Sequence, residues 1–177
     1  MNDQSDTSVA SRQDPLRKRY QSHPQEAVIT DRARTHGGAG RDPFHGRVTL
    51  GWPGHDVDIA FGVHRAVGGY SDLPNPGDLL CGALAACLDA TTRVIAERIG
   101  VELLHLEIEV EADVDTRGTL LVSRDVPVGF QRMRCRIDVR PADGTDPELM
   151  DSLIAAAEHS CVNLKTLLAG VEVETRT

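Results

Sequence analysis

At 177 residues the chain has the length of one domain and can bury a sizeable core, but with aromatics at 3% that core must come from Leu, Val, Ile and Ala. A formal charge of −8 without a basic stripe argues against nucleic acid or an anionic membrane as a partner, and no charge-free apolar run reaches the roughly 18 residues of a membrane span. Four widely spaced cysteines do not read as a secreted disulfide scaffold, and the polar start "MNDQSDTSVASRQDPLRKRY" lacks the apolar core of a secretory signal, so the expectation is a cytoplasmic protein with reduced thiols.

Residues 1–25 are polar and carry the basic patch "RKRY", which reads as a flexible tail or loosely docked arm ahead of a domain over 26–177. "AVITDRARTHGG", "GRVTLGW" and "VDIAFGVHRAVGG" combine β-branched residues with glycine punctuation and predict strands joined by turns. "SDLPNPGDLL" then supplies Asn75 as N-cap, Pro76 at the first helical position and Asp78 in the first turn. The helix is expected to run from Pro76 to about Ile99 and stop at Gly100, a length of roughly 36 Å at about 1.5 Å per residue. Its first half, Leu79 to Ala90, is apolar nearly all round, so it should be buried on every side, with a second subunit covering part of it.

"ELLHLEIEVEADVD" alternates, with Leu104, Leu106, Ile108 and Val110 opposite His105, Glu107, Glu109 and Glu111, which predicts a half-buried strand with an acidic outer face. "TLLVSR" and "QRMRCRIDVR" are expected to continue an antiparallel meander, the arginines of the latter facing the acidic strand. Asp146 and Pro147 open a second helix to about Ser160, "VNLKTLLAG" follows as a short helix capped by Asn163, and "VEVETR" is expected to close as a strand. The fold class is α+β.

Cys87 lies within "GALAACLDATTR" and Cys161 ends "AAAEHSC". A buried cysteine packs as a small apolar residue, and Cys81 and Cys135 read that way. Cys87 and Cys161 read either so or as reactive thiols, and a reactive thiol needs a cation or hydrogen-bond donors to favour its thiolate. Arginines 34, 41, 47, 65, 93 and 132 could supply the cation. His36, His45, His55 and His64 lie on glycine-rich strands and turns without tight ligand spacing, so no metal is expected and they read as solvated. His159 lies two residues before Cys161, where it could polarise that thiol.

"NPGDLLCGALAACLDATTRVIAERIG", the alternating "LEIEVEADVD" and "LMDSLIAAAEHSCVNLKTLLAGVEVE" together resemble the OsmC/Ohr family of osmotically inducible protein C and organic hydroperoxide resistance proteins, over roughly residues 30–175. The resemblance implies an OsmC-like fold, antiparallel sheets around two long central helices in an intertwined homodimer with its active site at the subunit interface. It implies that Cys87 is the peroxidatic cysteine and Cys161 the resolving one, that the substrate is an organic hydroperoxide, and that an external dithiol, a lipoylated protein or similar, is the reductant, with no cofactor. Leu80, Leu84, Leu88, Phe61 and Phe130 would build the apolar pocket. The family's supporting arginine has its closest match in Arg41, with Arg34 and Arg47 open. The family's acid after the helix-starting proline falls on Gly77, leaving Asp78 as the substitute. Val162 stands where the family commonly has proline. The alternative is a protein of this fold that binds a hydrophobic small molecule or senses redox state without peroxidase turnover.

Overall fold

The computed structural model of the chain describes residues 8–36 and 42–177. Its elements, in chain order, are α1 (Val9–Ser22), β1 (Ala33–Thr35), β2 (His45–Leu50), β3 (Val57–Gly62), α2 (Pro76–Arg98), β4 (Leu103–Asp113), α3 (Thr116–Thr119), β5 (Arg132–Pro141), α4 (Pro147–Ser160) and α5 (Val162–Ala169). They form two compact units, one of Met1–Val28, Ala83–Val110 and Cys135–Thr177, the other of Ile29–Gly82 and Glu111–Arg134. Helix α2 and strands β4 and β5 run through both. The architecture is α+β, as expected.

In the second unit β1, β2 and β3 form an antiparallel sheet in that order, with Thr35 opposite Val48 and Val48 opposite Ile59. Of the first predicted strand segment, Ala33–Thr35 forms a strand among the described residues. Gly46 is required where it stands, because a Cβ there would lie 2.3 Å from Cζ of Phe61. Strands β4 and β5 form the other sheet. The bonds Gln131 N–H to Asp113 O and Ala142 N–H to Glu102 O, both 2.9 Å, mark its two ends and its antiparallel sense. Its charged face pairs as expected, Arg134 with Glu111 at 3.1 Å and Arg136 with Glu109 at 2.9 Å. Such exposed pairs set register more than they add stability.

The ends of α2 follow the sequence reading. Asn75 Oδ1 accepts from Gly77 N–H at 2.8 Å while Asp78 Oδ2 accepts from Asn75 N–H at 2.8 Å, a reciprocal cap. At the other end Gly100 takes φ +76°, and Val101 N–H reaches back to Ala96 O at 2.8 Å, so the helix stops in a left-handed cap. The single chain buries part of its surface. One stripe, Leu84, Leu88, Thr92 and Ala96, is buried, while Leu80 stays 40% exposed. The residues four apart face inward in one chain, and Cys81, Cys87 and Ile95 on the other faces are half-buried. By length and composition α2 would also cross a membrane, a test that core helices of soluble proteins pass too; it carries the ion pair of Asp89 and Arg93.

In the first unit Ala96, Val101 and Leu153 form a buried cluster with Ile95, Leu103 and Met150 packed on it. Residues 9–22, given no element from sequence, are the helix α1. Ser8 caps it, its first N–H donates to Glu97 at 3.1 Å, and Asp14 pairs with Arg98 at 2.5 Å.

Two predicted strands are absent. "TLLVSR" turns instead: Asp115 caps α3, Leu121 takes φ +57°, and Gly118 lies so close to the Val126 and Pro127 carbonyls that a Cβ would come within 2.7 Å of both. "VEVETR" forms no strand among the described residues, and Val171 and Val173 are exposed.

Candidate functional site

Cys87 and Cys161 come together in the first unit, both as reduced thiols. Cys87 is half-buried on α2, between the buried Leu84 and Leu88. Cys161 is completely buried at the junction of two helices. It closes α4, its N–H donating to Ala157 O at 2.9 Å, and it caps α5, its Sγ accepting from Leu164 N–H at 3.5 Å. Asn163, expected as the cap, does something else: its Nδ2 donates to Ala83 O at 2.8 Å. Ala83 lies one turn before Cys87 on the same helix face, so this bond seats the first turn of α5 against Cys87.

The electrostatics of the two sulfurs differ. Burial works against a Cys87 thiolate and is the largest influence on it. Hydrogen bonds from Asn163 N–H, the Cys161 thiol, Val162 N–H and the Thr91 hydroxyl together outweigh it and hold Cys87 below the ordinary thiol range. Burial pushes Cys161 up; the Leu164 N–H opposes this, and the bond to Cys87 and its charge add to the rise. Of the two sulfurs, Cys87 is the one whose thiolate is favoured and Cys161 the one that holds its proton more tightly. A thiol pair of this kind can form a disulfide, the sulfur with the lower pKa reacting first.

Sequence reasoning missed three of these donors. Thr91 stands four residues after Cys87, one helical turn, a spacing that could have found it. The Val162 and Asn163 amides lie at the first two positions of α5, where helix N–H groups have no partner within the helix. His159 is exposed in the last turn of α4 and is not among the groups bonded to Cys161.

Arg41 lies outside the described residues. Arg34 is exposed on β1, and Arg47 on β2 pairs with Asp58 at 3.8 Å. Arg93 is bound by Asp89 at 2.9 Å and donates to Leu106 O at 3.2 Å. Asp78 serves the Asn75 cap described above, its Oδ2 also accepting from Asn75 Nδ2 at 2.6 Å. A side chain at Gly77 would put its Cβ 2.9 Å from Asn75 Oδ1 and 3.0 Å from Cζ of Phe130. Of the expected pocket residues, Leu84 and Leu88 are buried and Leu80 is exposed. Cys81 is half-buried, and burial, with the Asp78 charge, pushes its thiol up. Cys135, expected to pack, is exposed on β5.

Two histidines read as solvated are held by carboxylates. His36 Nε2 lies 2.7 Å from Thr49 Oγ1 and 3.2 Å from Asp58. His45 sits between Asp42 at 2.5 Å and Asp72 at 3.0 Å, its ring stacked on Tyr70. Asp42, then Asp72, raise the His45 pKa, and His45 lowers both of theirs. A raised histidine stabilises the fold fully below its unfolded pKa of about 6.5 and loses that contribution as pH rises through the folded value. The lowered aspartates contribute above about pH 4 and lose it in acid. His45→Gln is therefore expected to lower the urea midpoint more at pH 6 than at pH 9. Equal losses at the two values would remove the charged clasp. No group of histidine, cysteine and acidic residues among the described residues could hold a metal ion.

Comparison with known proteins adds the family. The model of the family described as "OsmC-like protein" matches residues 69–176. The chain is 24% identical over 141 residues to the uncharacterized protein YmaD of Bacillus subtilis, covering 73% of this chain and 91% of that one. An OsmC-like protein of unknown function from Vibrio cholerae shares the fold with a TM-score of 0.63 at 9% identity, over 78% of this chain and 94% of its own. An organic hydroperoxide resistance protein OsmC from Legionella pneumophila matches with a TM-score of 0.56 at 21% identity, over 83% and 95% of the two chains.

Proposed function

The chain belongs to the OsmC-like protein family, and we propose on that premise that it is a thiol-dependent peroxidase reducing organic hydroperoxides to alcohols. The feature that supports this reading is the unequal thiol pair, Cys87 held below the ordinary thiol range beside a buried Cys161 pushed above it. In the first step the Cys87 thiolate attacks the hydroxyl-bearing oxygen of the hydroperoxide. The O–O bond breaks, the alkoxide leaves and takes up a proton, and Cys87 becomes a sulfenic acid. The Cys161 sulfur then attacks the Cys87 sulfur, forming the disulfide and releasing water. An external dithiol, a lipoylated protein or similar, exchanges with that disulfide, returns both thiols and leaves oxidised to its own disulfide.

The buried Leu84 and Leu88 beside Cys87 favour a substrate with an apolar tail over hydrogen peroxide. Members of the family are generally dimeric. The exposed Leu80 on α2 and the exposed Val171 and Val173 support a homodimer here, its active sites at the interface, and the proposed location is the cytoplasm. Arg41 remains the proposed support for the thiolate. One feature favours a second reading, a binder of hydrophobic small molecules without turnover: Gly77 stands where the family has its acid, and Asp78 serves the helix cap.

The test is chemical. Reduced protein treated with one equivalent of cumene hydroperoxide is expected to lose two thiols and yield a Cys87–Cys161 link in a peptide map. Four thiols surviving millimolar hydroperoxide would leave only the binder.

A further inference from the structure

We propose that His45 is a proton-operated clasp. When charged, its ring joins the turn before β2 to the segment that leads from β3 into α2; when neutral, it keeps the first link and releases the second. The clasp is independent of the peroxidase reading.

Both ring nitrogens of His45 face carboxylates. Nδ1 lies 2.5 Å from Asp42 Oδ2, three residues back, and Nε2 lies 3.0 Å from each oxygen of Asp72, 27 residues on. Each aspartate is held below the usual carboxylate range, chiefly by its bond to His45, so both are charged where the ring titrates. An ionised carboxylate only accepts, so each nitrogen must carry a hydrogen, and only the imidazolium carries two. A neutral ring has one to give, and its bare nitrogen then faces a negative oxygen. Asp42 keeps that hydrogen, because its contact is the shorter and its Oδ1 is anchored by Phe44 N–H at 2.8 Å. The Asp72 link is the one that opens.

The segment it holds is strained. Ser71, next to Asp72, takes φ +56°, a left-handed conformation that a serine keeps only where its surroundings hold it. Tyr70 stacks on the His45 ring with centroids 5.6 Å apart, and Phe44 meets Tyr70 edge-on at 5.4 Å. Val63 O accepts from Ser71 N–H at 3.2 Å and Pro74 O from Gly62 N–H at 2.9 Å, after which the chain enters the Asn75 cap of α2. Opening the Asp72 link therefore loosens the approach to the first turn of α2. Around the ring, Asp42 and Phe44 come from the turn before β2, and Tyr70 and Asp72 from the segment. Opposite His45, β3 presents Gly62, and His64 at the start of the segment is turned to Ala66 N–H at 3.0 Å. Asp42 and Asp72 are the charges that act on His45.

The experiment follows the reduced, nitrogen-15-labelled full-length chain by NMR from pH 5 to 10. It reads the ring nitrogens of His45, assigned by their loss in His45→Gln, together with the exchange protection of the Gly62 and Ser71 amides. The neutral ring is expected to carry its hydrogen on Nδ1. Protection of both amides is expected to fall about threefold to fivefold as the ring loses its charge, above the pH of about 6.5 where a solvated histidine titrates. Amides in the middle of the β2–β3 ladder should keep their protection. Asp72→Ala is expected to show the low protection at every pH. Asp42→Asn leaves an acceptor for Phe44 N–H, moves the neutral ring's hydrogen to Nε2 and should keep the segment held throughout. Level protection through the His45 titration of the parent chain overturns the proposal, and so does a neutral parent ring with its hydrogen on Nε2. An Asp72→Ala chain with the parent's pH dependence, or an Asp42→Asn chain that still opens, overturns it too. Should either variant fail to fold, the tautomer and protection profile of the parent chain decide.

Discussion

Cys87→Ser is expected to lower organic hydroperoxide consumption by ~10³-fold or more, because an unactivated hydroxyl is a far poorer nucleophile than a thiolate. Cys161→Ser is expected to keep the first oxidation and fail at the second. With one equivalent of hydroperoxide and no added thiol, its Cys87 should accumulate as a sulfenic acid that dimedone traps. The parent chain should pass to the disulfide and give little adduct. The asymmetry of the pair explains the order of events. While Cys87 is a thiolate, its charge and hydrogen bond keep the proton on the buried Cys161. Oxidation removes that charge, and the amides of Leu164 and Asn163 remain to favour a Cys161 thiolate at the moment it is needed. Unchanged hydroperoxide consumption in Cys87→Ser, or a disulfide forming in Cys161→Ser through Cys81 or Cys135, would reassign the reacting pair.

The parts of the fold written in local chemistry were legible. The Asn75, Pro76 and Asp78 start of α2, the Gly100 stop, and the Asp146–Pro147 opening of α4 depend on neighbours within a few residues, and each stands where the sequence reading put it. The alternating β4 and the arginine-bearing face of β5 were legible for the same reason. "TLLVSR" and "VEVETR" have strand composition, but a strand exists only where another edge accepts its hydrogen bonds, and sequence alternation does not supply one. The helix α1 was missed because it is polar all round and has no buried residue, so periodicity gave no signal. At the site, the pairing of Cys87 with Cys161 came from the family resemblance, and their proximity is a property of tertiary structure. The donors are mostly backbone amides, which every residue but proline has, so no residue type marks them. Asn163 was misassigned because a cysteine sulfur, a weak acceptor, took the capping position before it.

Leu153→Ala is expected to cost about 2–5 kcal/mol of stability, the range for emptying a buried leucine site. Leu153 is completely buried against Ala96 and Val101, with Met150, Ile95 and Leu103 around it, so a methyl group there leaves a void that a cluster of this size refills poorly. The urea midpoint should fall with an unchanged slope, and the thermal midpoint should drop by about 5–15 °C, at matched protein concentration because a dimer's midpoint depends on it. Val128→Ala, at an exposed position, should move stability by less than ~0.5 kcal/mol. The effect should also reach the chemistry unequally. Leu153, Ala157 and Cys161 form one buried line along α4, four residues apart. Cys87 stands on α2 with its own buried neighbours, Leu84 and Leu88. Loosening α4 should therefore slow closure of the Cys87–Cys161 disulfide more than the first oxidation of Cys87, so that dimedone captures more sulfenic acid in Leu153→Ala than in the parent chain. A stability loss under ~1 kcal/mol would mean that the cluster collapses around the gap. Equal slowing of both steps would mean that α2 and α4 respond as one body, so that Leu153 supports both sulfurs alike.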